Sequence, residues 1–409
     1  MTLVTHRNAP GEPALGLARQ VRTFIDEQVI PREPELAGDS ASASACQDEL
    51  ATQARIAGLW GLFYPASHGG KLASLADYLW VAEQEGRSEY GPAIFGADAT
   101  LDTHMLLRHG SQAIKRDFLA PLLMGEAVSS YGMSEPQSIG SIPATLTTSA
   151  EQVAGGWRLN GRKWFICRAD CASFVTVVAR TAEGELGGAL SMILVPTDAA
   201  GFRIERQLDI LGRFTGQCEI AFSDVVVPRD YLLGQAGRGL ALMQERLGLG
   251  RVLRAAHWLG LAQRCFDLMC KRICSDRGEM ARLTEKQLVR LRVFQSFQAI
   301  AGARALLHDA AHKFDARLDN NVEVNLAKVA ASQALSTAVD HAIQIFGAEG
   351  LCDLSPLSGI YRTARTTHIL DGTDDALISA VGRRLLDAYA TGGLLDFSMP
   401  SVPAGAVPA

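Results

Sequence analysis

The chain of 409 residues is longer than a single hydrophobic core usually serves, which predicts two or three subdomains. Hydrophobic residues make up 48% of it and charged residues 20%, a composition typical of globular proteins and not of disordered or fibrous ones. The net charge of -5, without any concentrated run of Lys and Arg, argues against a nucleic-acid-binding protein.

The cysteines and the apolar runs bear on location. Eight cysteines occur without a CxxC pair, which favours reduced thiols over a disulfide framework or a zinc ribbon. The N-terminal MTLVTHRNAPGEPALGLARQ lacks the apolar core of a signal peptide, and no apolar run is long enough to span a bilayer. We therefore expect a cytoplasmic protein that does not enter the membrane.

Hydrophobic periodicity divides the chain into three blocks. Residues from about 13 to 125 show helical patterns, short Val-, Ile- and Phe-rich segments follow to about 232, and helical periodicity then continues to about 390. The fold class is therefore mainly α with a central β domain. We expect a helical domain over 1–128, a β domain over 129–235, a helical bundle over 236–395 and a flexible tail over 396–409.

Two local patterns add detail to these blocks. Asn160-Gly161 lies between apolar runs and is typical of a two-residue hairpin turn. In the C-terminal block, apolar residues recur at spacings of three and four, which predicts one apolar helix face made of Leu288, Leu291, Phe294, Phe297 and Ala301. The Ala-rich helices that follow are expected to pack closely as a bundle.

A polar turn lies where the first helical block meets the β block. In YGMSEPQSIGS, residues Ser134, Glu135 and Pro136 could present hydroxyl and backbone N–H groups to a heterocycle, although a plain interdomain loop is the simpler interpretation. Further on, Trp164 and Phe165 alternate faces of a strand, so only one of them can face a planar cofactor, and aromatic strand residues usually belong to the core.

Three weaker patterns favour structural interpretations. His308 and His312 lie four apart on a helix but lack the Glu of a zinc-peptidase motif, so we expect two solvent-facing histidines. Cys270 and Cys274 share that spacing without a nearby partner. The Gly-rich turn at 234–239 does not match a dinucleotide-binding fingerprint. No metal site is predicted.

The stretch HILDGTDDALISA contains the candidate general base. Asp371 could cap the helix that follows it, because a carboxylate there would accept backbone N–H bonds at the positive end of the helix dipole. Asp374 or Asp375 could cap that helix equally well. As a base, Asp371 would need surroundings that raise its pKa from about 4 toward working pH. The residues alone leave both roles open.

Six blocks in order resemble the acyl-CoA dehydrogenase family over about residues 15 to 390. They are the SEP turn, LNGRKWFI, FSDVVVP with LLGQAGRGL, RLGLGR, QIFGAEG and LDGT. The LDGT block, RLGLGR and the run LDTHMLLRHG resemble the branch of the family that carries Asp-Gly instead of Glu-Gly. This resemblance implies an N-terminal helical domain, a middle β-barrel-like domain and a C-terminal four-helix bundle, with FAD between the last two.

The resemblance also implies a reaction. The carboxylate of Asp371 would remove the α-proton of an acyl thioester while the β-hydrogen leaves as hydride to flavin N5, which gives a trans-2-enoyl thioester. Ser141, Arg251 and Gly372 match substrate-contacting positions. The electrons would pass to an electron-transfer flavoprotein or to oxygen.

The matching FAD-contacting positions come from several blocks. Within one subunit they are Tyr131, Met133, Ser134, Phe165, Ile166, Cys167, Thr373 and Asp375. Arg277, Gln344 and Gly347 match positions that reach the FAD of a neighbouring subunit, so the resemblance implies a homodimer or a homotetramer.

Some positions depart from the family pattern. Cys167 replaces the usual Thr or Ser, QSIGS replaces Gly-Ala-Gly-Ser-Asp, and Gly248 replaces an Asp near the CoA site. The acyl group could therefore be carried by CoA or by a carrier protein. Two other functions stay open: a flavin-dependent monooxygenase or N-hydroxylase on the same fold, and a non-catalytic scaffold that binds neither FAD nor a thioester.

Overall fold

The computed structural model describes residues 11–38, 41–140, 142–182 and 189–393. Among these residues, one compact unit comprises the chain up to Leu59, Leu72–Ile94 and the chain from Gly250, and a second comprises Trp60–Lys71 and Phe95–Leu249. The first is helical and the second contains the sheet, which confirms a mainly α fold with a central β domain. None of the described helices is both long and apolar enough to cross a bilayer. The predicted tail, 396–409, lies outside the described residues.

The N-terminal part of the first unit consists of helices with one buried face. They are α1 Glu12–Phe24, α2 Glu33–Leu36, α3 Ala41–Ile56, α4 Leu75–Glu85 and α5 Gly91–Ile94. On α1 the buried residues Ala14, Ala18 and Val21 recur at helical spacing. Helix α4 begins at Ser74, whose hydroxyl accepts the Asp77 N–H at 3.2 Å and so satisfies one free donor of the first turn.

The C-terminal part supplies the longest helices. They are α9 Gly239–Ile273, of which the residues from Gly250 belong to this unit, α10 Asp276–Met280, α11 Gln287–Asp315, α12 Asn321–Phe346, α13 Leu357–Thr367 and α14 Asp374–Ala390. The helices α6 Thr100–His109, α7 Gln112–Ile114 and α8 Ala120–Met124 belong to the second unit. Helix α12 buries mainly alanines, among them Ala327, Ala331, Ala334 and Ala338. Small side chains let neighbouring helices approach closely, so the predicted bundle packing is explained by composition.

Short 3₁₀ and π turns connect or extend these helices. They are Ile25–Val29, Ile30–Arg32, Ala66–His68, Ala97–Ala99, Lys115–Leu119, Pro143–Thr145, Arg229–Tyr231, Leu283–Glu285 and Gly347–Leu351.

The predicted apolar face of α11 exists, but it is exposed. Leu288 is 66% exposed and Phe294 60% exposed, whereas the face buried in the unit carries Ser296, Ile300 and Leu307. The periodicity therefore located the helix correctly, yet the stripe it identified does not pack into this chain's own core. An exposed row of large apolar side chains is typical of an interaction surface.

The second unit contains one mixed sheet. Its strands are β1 Ser129–Gly132, β2 Ser149–Val153, β3 Gly156–Cys167, β4 Phe174–Arg180, β5 Leu190–Pro196, β6 Phe202–Ile210, β7 Arg213–Pro228 and β8 Leu232–Leu233. They pair in the order β6-β7-β3-β2-β4-β5-β8, and β1 pairs with β4 in parallel.

Strands β4 and β5 are buried on both faces, which explains their continuous apolar sequences. Along β4, Phe174 and Val178 pack into one cluster with helical residues such as Phe118, while Val175 and Val177 pack on the opposite face. The alternation of a strand therefore divides one apolar run between two cores.

The hairpin predicted at Asn160-Gly161 is wrong. The chain reverses at Ala154–Gly155, because β2 and β3 pair antiparallel from Val153 opposite Gly156, and Gly155 supplies the positive φ of 88° that this tight turn needs. Asn160 lies within β3, where its side-chain amide donates to the Asp224 carboxylate at 3.0 Å next to a change in strand register.

Candidate active-site residues

The base turn, residues 371–373, joins α13 to α14. Asp371 has φ of 56° and Gly372 has φ of 100°, so two consecutive residues adopt left-handed conformations. For a residue with a Cβ this costs roughly 1 kcal/mol or more. Thr373 is the N-cap of α14, because its hydroxyl accepts the Ala376 N–H at 3.2 Å. The helix-cap role considered for Asp371 is therefore wrong.

Two arginines of α9 hold Asp371. The Arg254 Nε lies 2.6 Å from the Asp371 Oδ2, and the Arg251 Nε donates to the Asp371 carbonyl oxygen at 2.8 Å. Arg251 also donates to the Asn325 Oδ1 at 3.0 Å. Burial lowers the pKa of the Arg251 guanidinium, and the charge of Asp371 opposes that shift. The Asp371 carboxylate is thus mostly enclosed, with 18% of the side chain exposed.

A buried polar network lies directly beside the base turn. Lys328 is fully buried, and its Nζ donates to the Asp374 Oδ1 at 2.6 Å and to the Gly372 carbonyl oxygen at 2.9 Å. The Asp374 Oδ2 lies 2.8 Å from the Ser332 hydroxyl and 2.6 Å from the His368 Nδ1. Burial lowers the pKa of Lys328, and its hydrogen bond to Asp374 opposes the shift.

Sequence reasoning missed Arg254, Lys328 and the pairing of Asp374. One signal was available for Lys328, which lies in the Ala-rich run NLAKVAASQAL, between buried residues of an apolar helix. A lysine on a buried face needs a partner, because an unpaired charge in an apolar interior is very costly. The partner itself lies 46 residues further along the chain and could not be identified from spacing.

The remaining residues of the base turn differ in exposure. Thr373 uses its hydroxyl as the helix cap, and Asp375 is exposed in the first turn of α14. A carboxylate at that position interacts favourably with the helix dipole. Ser141, expected to contact substrate, lies outside the described residues.

In the second unit, the Ser134 turn is built on a buried glutamate. The Glu135 Oε1 accepts the Lys163 Nζ at 2.7 Å and the Thr148 N–H at 2.9 Å, and its Oε2 accepts the Thr147 N–H at 2.7 Å. The Ser134 carbonyl oxygen accepts an N–H from the strand beside it, that of Trp164, at 2.9 Å. These hydrogen bonds hold the turn in one conformation, so it is not a loosely held loop.

The pKa values of this pair shift in ways that follow from burial and charge. Burial alone would raise the pKa of Glu135, but the Lys163 charge and the hydrogen bonds outweigh it and lower the pKa to about 2. Burial lowers the pKa of Lys163 to about 8, and the Glu135 charge opposes that shift. Both residues are almost completely buried, so the ion pair is part of the second unit's core.

Phe165 lies at an irregular point of β3. Between Lys163 and Ile166 the register against β7 changes by one residue, so the strand bulges there. Phe165 has φ of 53° and is 48% exposed, whereas Ile166 is buried. The Trp164 and Phe165 rings lie 4.8 Å apart at an interplanar angle of 53°. The bulge therefore turns an aromatic ring outward at a strained backbone position, a feature often found at functional sites.

Cys167, at the end of β3, contacts polar neighbours. Its Sγ accepts from the Gln217 Nε2 at 3.0 Å, and its carbonyl oxygen accepts the Ser130 hydroxyl at 2.6 Å. On β1, the Tyr131 ring has the Arg246 guanidinium 3.9 Å from its centre. Met133 contributes its carbonyl oxygen to the Lys163 Nζ at 2.9 Å. The structure thus brings the sequence-predicted Tyr131, Met133, Ser134 and Cys167 into one connected set around β1 and β3.

The positions expected to reach a neighbouring subunit lie near one another in the first unit. The Arg277 Nη1 donates to the Glu349 Oε2 at 2.8 Å, and Glu349 follows Gly347 by two residues. Hydrogen bonds from Arg272 and Arg277 lower the pKa of the Glu349 carboxyl group. Gln344 and Gly347 are both exposed. These residues are therefore available at the surface of the described chain.

The two histidines of α11 differ in environment. His308 is 3% exposed and its ring lies 4.7 Å from that of Trp80, so the prediction that it faces solvent is wrong. Burial lowers its pKa to about 4. His312 is exposed, as expected. The apolar packing of His308 explains its position without any role as a metal ligand.

The chain is similar to known proteins along most of its length. Models for the acyl-CoA dehydrogenase N-terminal, middle and C-terminal domains match residues 14–126, 130–225 and 237–386. Acyl-CoA dehydrogenase family member 11 of Mus musculus is 32% identical over 392 residues, which cover 91% of this chain and 50% of that protein. The chain thus spans about half the length of the first curated relatives it matches.

Two further comparisons extend over nearly whole chains. The protein named probable acyl-CoA dehydrogenase FadE2 of Mycobacterium tuberculosis is 32% identical over 346 residues, covering 82% of this chain and 84% of that protein. A solved structure from Mycobacterium abscessus that carries the acyl-CoA dehydrogenase name has a TM-score of 0.84 at 29% identity, covering 93% of this chain and 100% of that one. The three-domain match, the identities and the shared fold show that this chain belongs to the acyl-CoA dehydrogenase family.

Proposed function

We propose that this protein catalyses the FAD-dependent α,β-dehydrogenation of an acyl thioester, with Asp371 as the general base. The observation that carries the proposal is the base turn, where a largely enclosed carboxylate is paired with Arg254 and lies on a strained backbone held by Arg251. Strained backbone that its surroundings hold in place is characteristic of functional sites. The members of the family are acyl-CoA dehydrogenases by name, which supports the same reaction.

In the proposed reaction, the Cα–H bond breaks and its proton passes to the Asp371 carboxylate. The Cβ–H bond breaks with transfer of a hydride, and a trans Cα=Cβ bond forms in the thioester. When bound, FAD supplies the hydride acceptor at N5. Asp has one methylene fewer than Glu, so the backbone of the base turn must bring its carboxylate closer to the substrate. Arg254 stabilises the carboxylate anion before it accepts the proton.

The residues of the second unit fit the flavin cofactor of the family. Phe165 holds an apolar ring outward at a strained position, and the Ser134 hydroxyl lies on a turn fixed by Glu135. An exposed aromatic face beside a hydroxyl and backbone donors suits a planar heterocycle with a polar edge. We infer that Tyr131, Met133, Ser134, Phe165, Ile166 and Cys167 hold the flavin within one subunit, together with Thr373 and Asp375.

The carrier of the acyl group is a narrower part of the proposal. Arg251 is expected to contact substrate, yet its guanidinium donates to the Asp371 carbonyl and to Asn325. With the Asp near the CoA site replaced by Gly248, the acyl group could be presented on CoA or on a carrier protein. Gly372 and Ser141 match substrate-contacting positions by resemblance. An electron-transfer flavoprotein is the proposed electron acceptor, with oxygen as the alternative.

We also propose a homodimer or a homotetramer, located in the cytoplasm. Support comes from the exposed apolar face of α11 and from Arg277, Gln344 and Gly347, which lie at the surface and match positions that serve a neighbouring subunit's FAD. A face of this kind is more stable when covered.

The experiment is an anaerobic absorbance titration of the purified flavoprotein with acyl-CoAs of increasing length. The expected result is bleaching of the flavin band in wild-type protein and in Asp387→Asn, and loss of that bleaching in Asp371→Asn. Asp387 is a matched control, because it is an exposed carboxylate of α14 to which no role in the site is assigned. Purified protein without flavin, or bleaching that persists in Asp371→Asn, would refute the proposal. If no thioester bleaches the flavin band and the protein consumes oxygen in the presence of NAD(P)H, the protein is instead a monooxygenase or N-hydroxylase.

A further inference from the structure

We propose that Lys328 and Asp374 are positioning residues that set the geometry of the base turn. This inference rests on the proposed role of Asp371. Asp371 and Gly372 both have positive φ, a conformation that the free chain would rarely keep. Contacts from other elements must therefore hold it.

Two cations, the half-buried Arg251 and the buried Lys328, hold the backbone of the turn. The Arg251 Nε donates to the Asp371 carbonyl oxygen at 2.8 Å, and the Lys328 Nζ donates to the Gly372 carbonyl oxygen at 2.9 Å. The two donors come from different helices, α9 and α12, and donate hydrogen bonds to the carbonyl oxygens of consecutive residues. Charge-assisted hydrogen bonds of this length are stronger than neutral ones. Together they fix the plane of each peptide bond and hence the direction of the Asp371 side chain.

Lys328 can serve in this way only with a counter-charge. It is fully buried, and a lone ammonium group in an apolar interior would lose its proton or destabilise the fold. The Asp374 Oδ1 lies 2.6 Å from the Lys328 Nζ and neutralises it. Asp374 thus keeps Lys328 charged and pointed at Gly372.

Asp374 is itself fixed on its remaining sides. Its Oδ2 is bonded to the Ser332 hydroxyl at 2.8 Å and to the His368 Nδ1 at 2.6 Å, and its N–H donates to the His368 carbonyl oxygen at 2.9 Å. The His368 Nε2 in turn lies 2.7 Å from the Ser336 hydroxyl. These bonds join the end of α13, the start of α14 and helix α12 around the base turn. A fully satisfied network of this kind specifies one local geometry.

The test separates positioning from stability by means of two variants. Asp374→Asn keeps the shape of the side chain but removes the counter-charge. Lys328→Met/Asp374→Leu replaces the whole ion pair by apolar groups, which can restore stability but cannot donate to the Gly372 carbonyl. The matched control is Lys313→Met/Glu323→Leu, since that pair, 2.6 Å apart, links α11 to the first turn of α12.

Three measurements are made: kcat and KM with an acyl-CoA, Tm, and hydrogen–deuterium exchange of residues 369–376. Displacement of a base by about 1 Å can cost on the order of 100-fold in rate. We expect kcat to fall by about 10- to 100-fold in both variants, with KM changed by less than about threefold and faster exchange in 369–376. The control is expected to keep wild-type kcat and exchange.

Each outcome decides the proposal. Wild-type kcat in a folded Lys328→Met/Asp374→Leu protein would overturn it, as would a loss of kcat that simply follows Tm across all variants, the control included. If neither variant folds, hydrogen–deuterium exchange of the wild-type protein tests the proposal. Rapid exchange of the Asp374 backbone amide would show that the base turn is not held and would overturn it. Retained activity in Asp371→Asn would refute the proposed function instead, so the two failures are distinguishable.

Discussion

Arg254 and Asp371 form an ion pair in which the guanidinium Nε lies 2.6 Å from the carboxylate Oδ2. The Arg254 side chain is 43% exposed and that of Asp371 18%, so water reaches the arginine more than the carboxylate. The Arg251 Nε holds the backbone of Asp371 separately, and Arg254 sets the final rotation of the carboxylate at the end of that side chain. The pair therefore links the proposed base to α9.

The first prediction concerns this pair. In Arg254→Gln we expect kcat to fall by about fivefold, which corresponds to the roughly 1 kcal/mol expected of a partly exposed ion pair. The reason is that the carboxylate loses the contact that orients it. Steady-state kinetics with a saturating acyl-CoA would measure the change, and thermal unfolding should show a loss of stability of less than about 1 kcal/mol.

Arg384→Gln is the control for that experiment. Arg384 pairs with Asp319 in the same unit, away from the base turn, and its loss should leave kcat unchanged. An increase of kcat in Arg254→Gln would show that the arginine competes with the substrate for the base and does not orient it.

Part of this site was predictable from the sequence because its signals are local. The Gly-Thr pair after Asp371 marks a turn before a helix, and the change of period near residues 130 and 232 separates α from β segments. What a turn residue contacts is not a local property. Arg254 and Asp371 are 117 positions apart, and only the tertiary fold brings them together.

The errors have the same origin. Gly155-Gly156 and Asn160-Gly161 are both dipeptides that favour turns, and the choice between them depends on strand pairing with β7, far along the chain. Similarly, the spacing of apolar residues in α11 identified an apolar helix face correctly. The same spacing occurs in faces that are buried within a chain and in faces that are exposed at its surface, so it did not show that this face is exposed. Periodicity gives the direction of a face and not what covers it.

The second prediction concerns Phe165. Its ring is 48% exposed, so Phe165→Ala should change the stability of the apoprotein little. If the ring contacts the flavin as proposed, FAD affinity should fall by roughly 2- to 13-fold, corresponding to the roughly 0.5–1.5 kcal/mol of an aromatic contact. Titration of apoprotein with FAD, followed by flavin fluorescence, would measure it.

Phe314→Ala is the matched control, because Phe314 is an exposed phenylalanine of the first unit, at 39% exposure. Its FAD affinity should equal that of wild type. Equal affinity in Phe165→Ala as well would mean that the outward ring does not contact the cofactor.

The third prediction follows from the buried Glu135–Lys163 pair. The pKa of Glu135 is lowered from 4.5 to about 2 in the folded protein. A carboxyl group with a lowered folded-state pKa stabilises the protein above its unfolded value, and that contribution is lost as pH falls from about 4.5 toward 2. The shift corresponds to about 3 kcal/mol.

Urea unfolding of wild-type protein between pH 7 and pH 3 would measure this loss, and Glu135→Gln should show a weaker dependence on pH together with lower stability at pH 7. The exposed Glu151→Gln is the control and should follow wild type. If wild-type stability did not change between pH 5 and pH 3, the pair would not be the buried, charged support of the Ser134 turn described above.

The fourth prediction concerns the exposed apolar face of α11. A glutamate in its centre, Phe294→Glu, would place a charge where we expect a second copy of the chain to pack, and an unpaired charge in an apolar interface is costly. We therefore expect light scattering after size exclusion to show a smaller species, or dissociation at a higher protein concentration than in wild type.

Ile56→Glu provides the comparison for that variant. Ile56 is 83% exposed at the end of α3 and does not belong to the α11 face, so the same substitution there should leave the assembly unchanged. Dissociation in both variants would indicate a general effect of added charge. Dissociation in neither would mean that the subunits meet elsewhere, and Arg277 and Gln344, although exposed, would then have no neighbouring subunit's FAD within reach through this face.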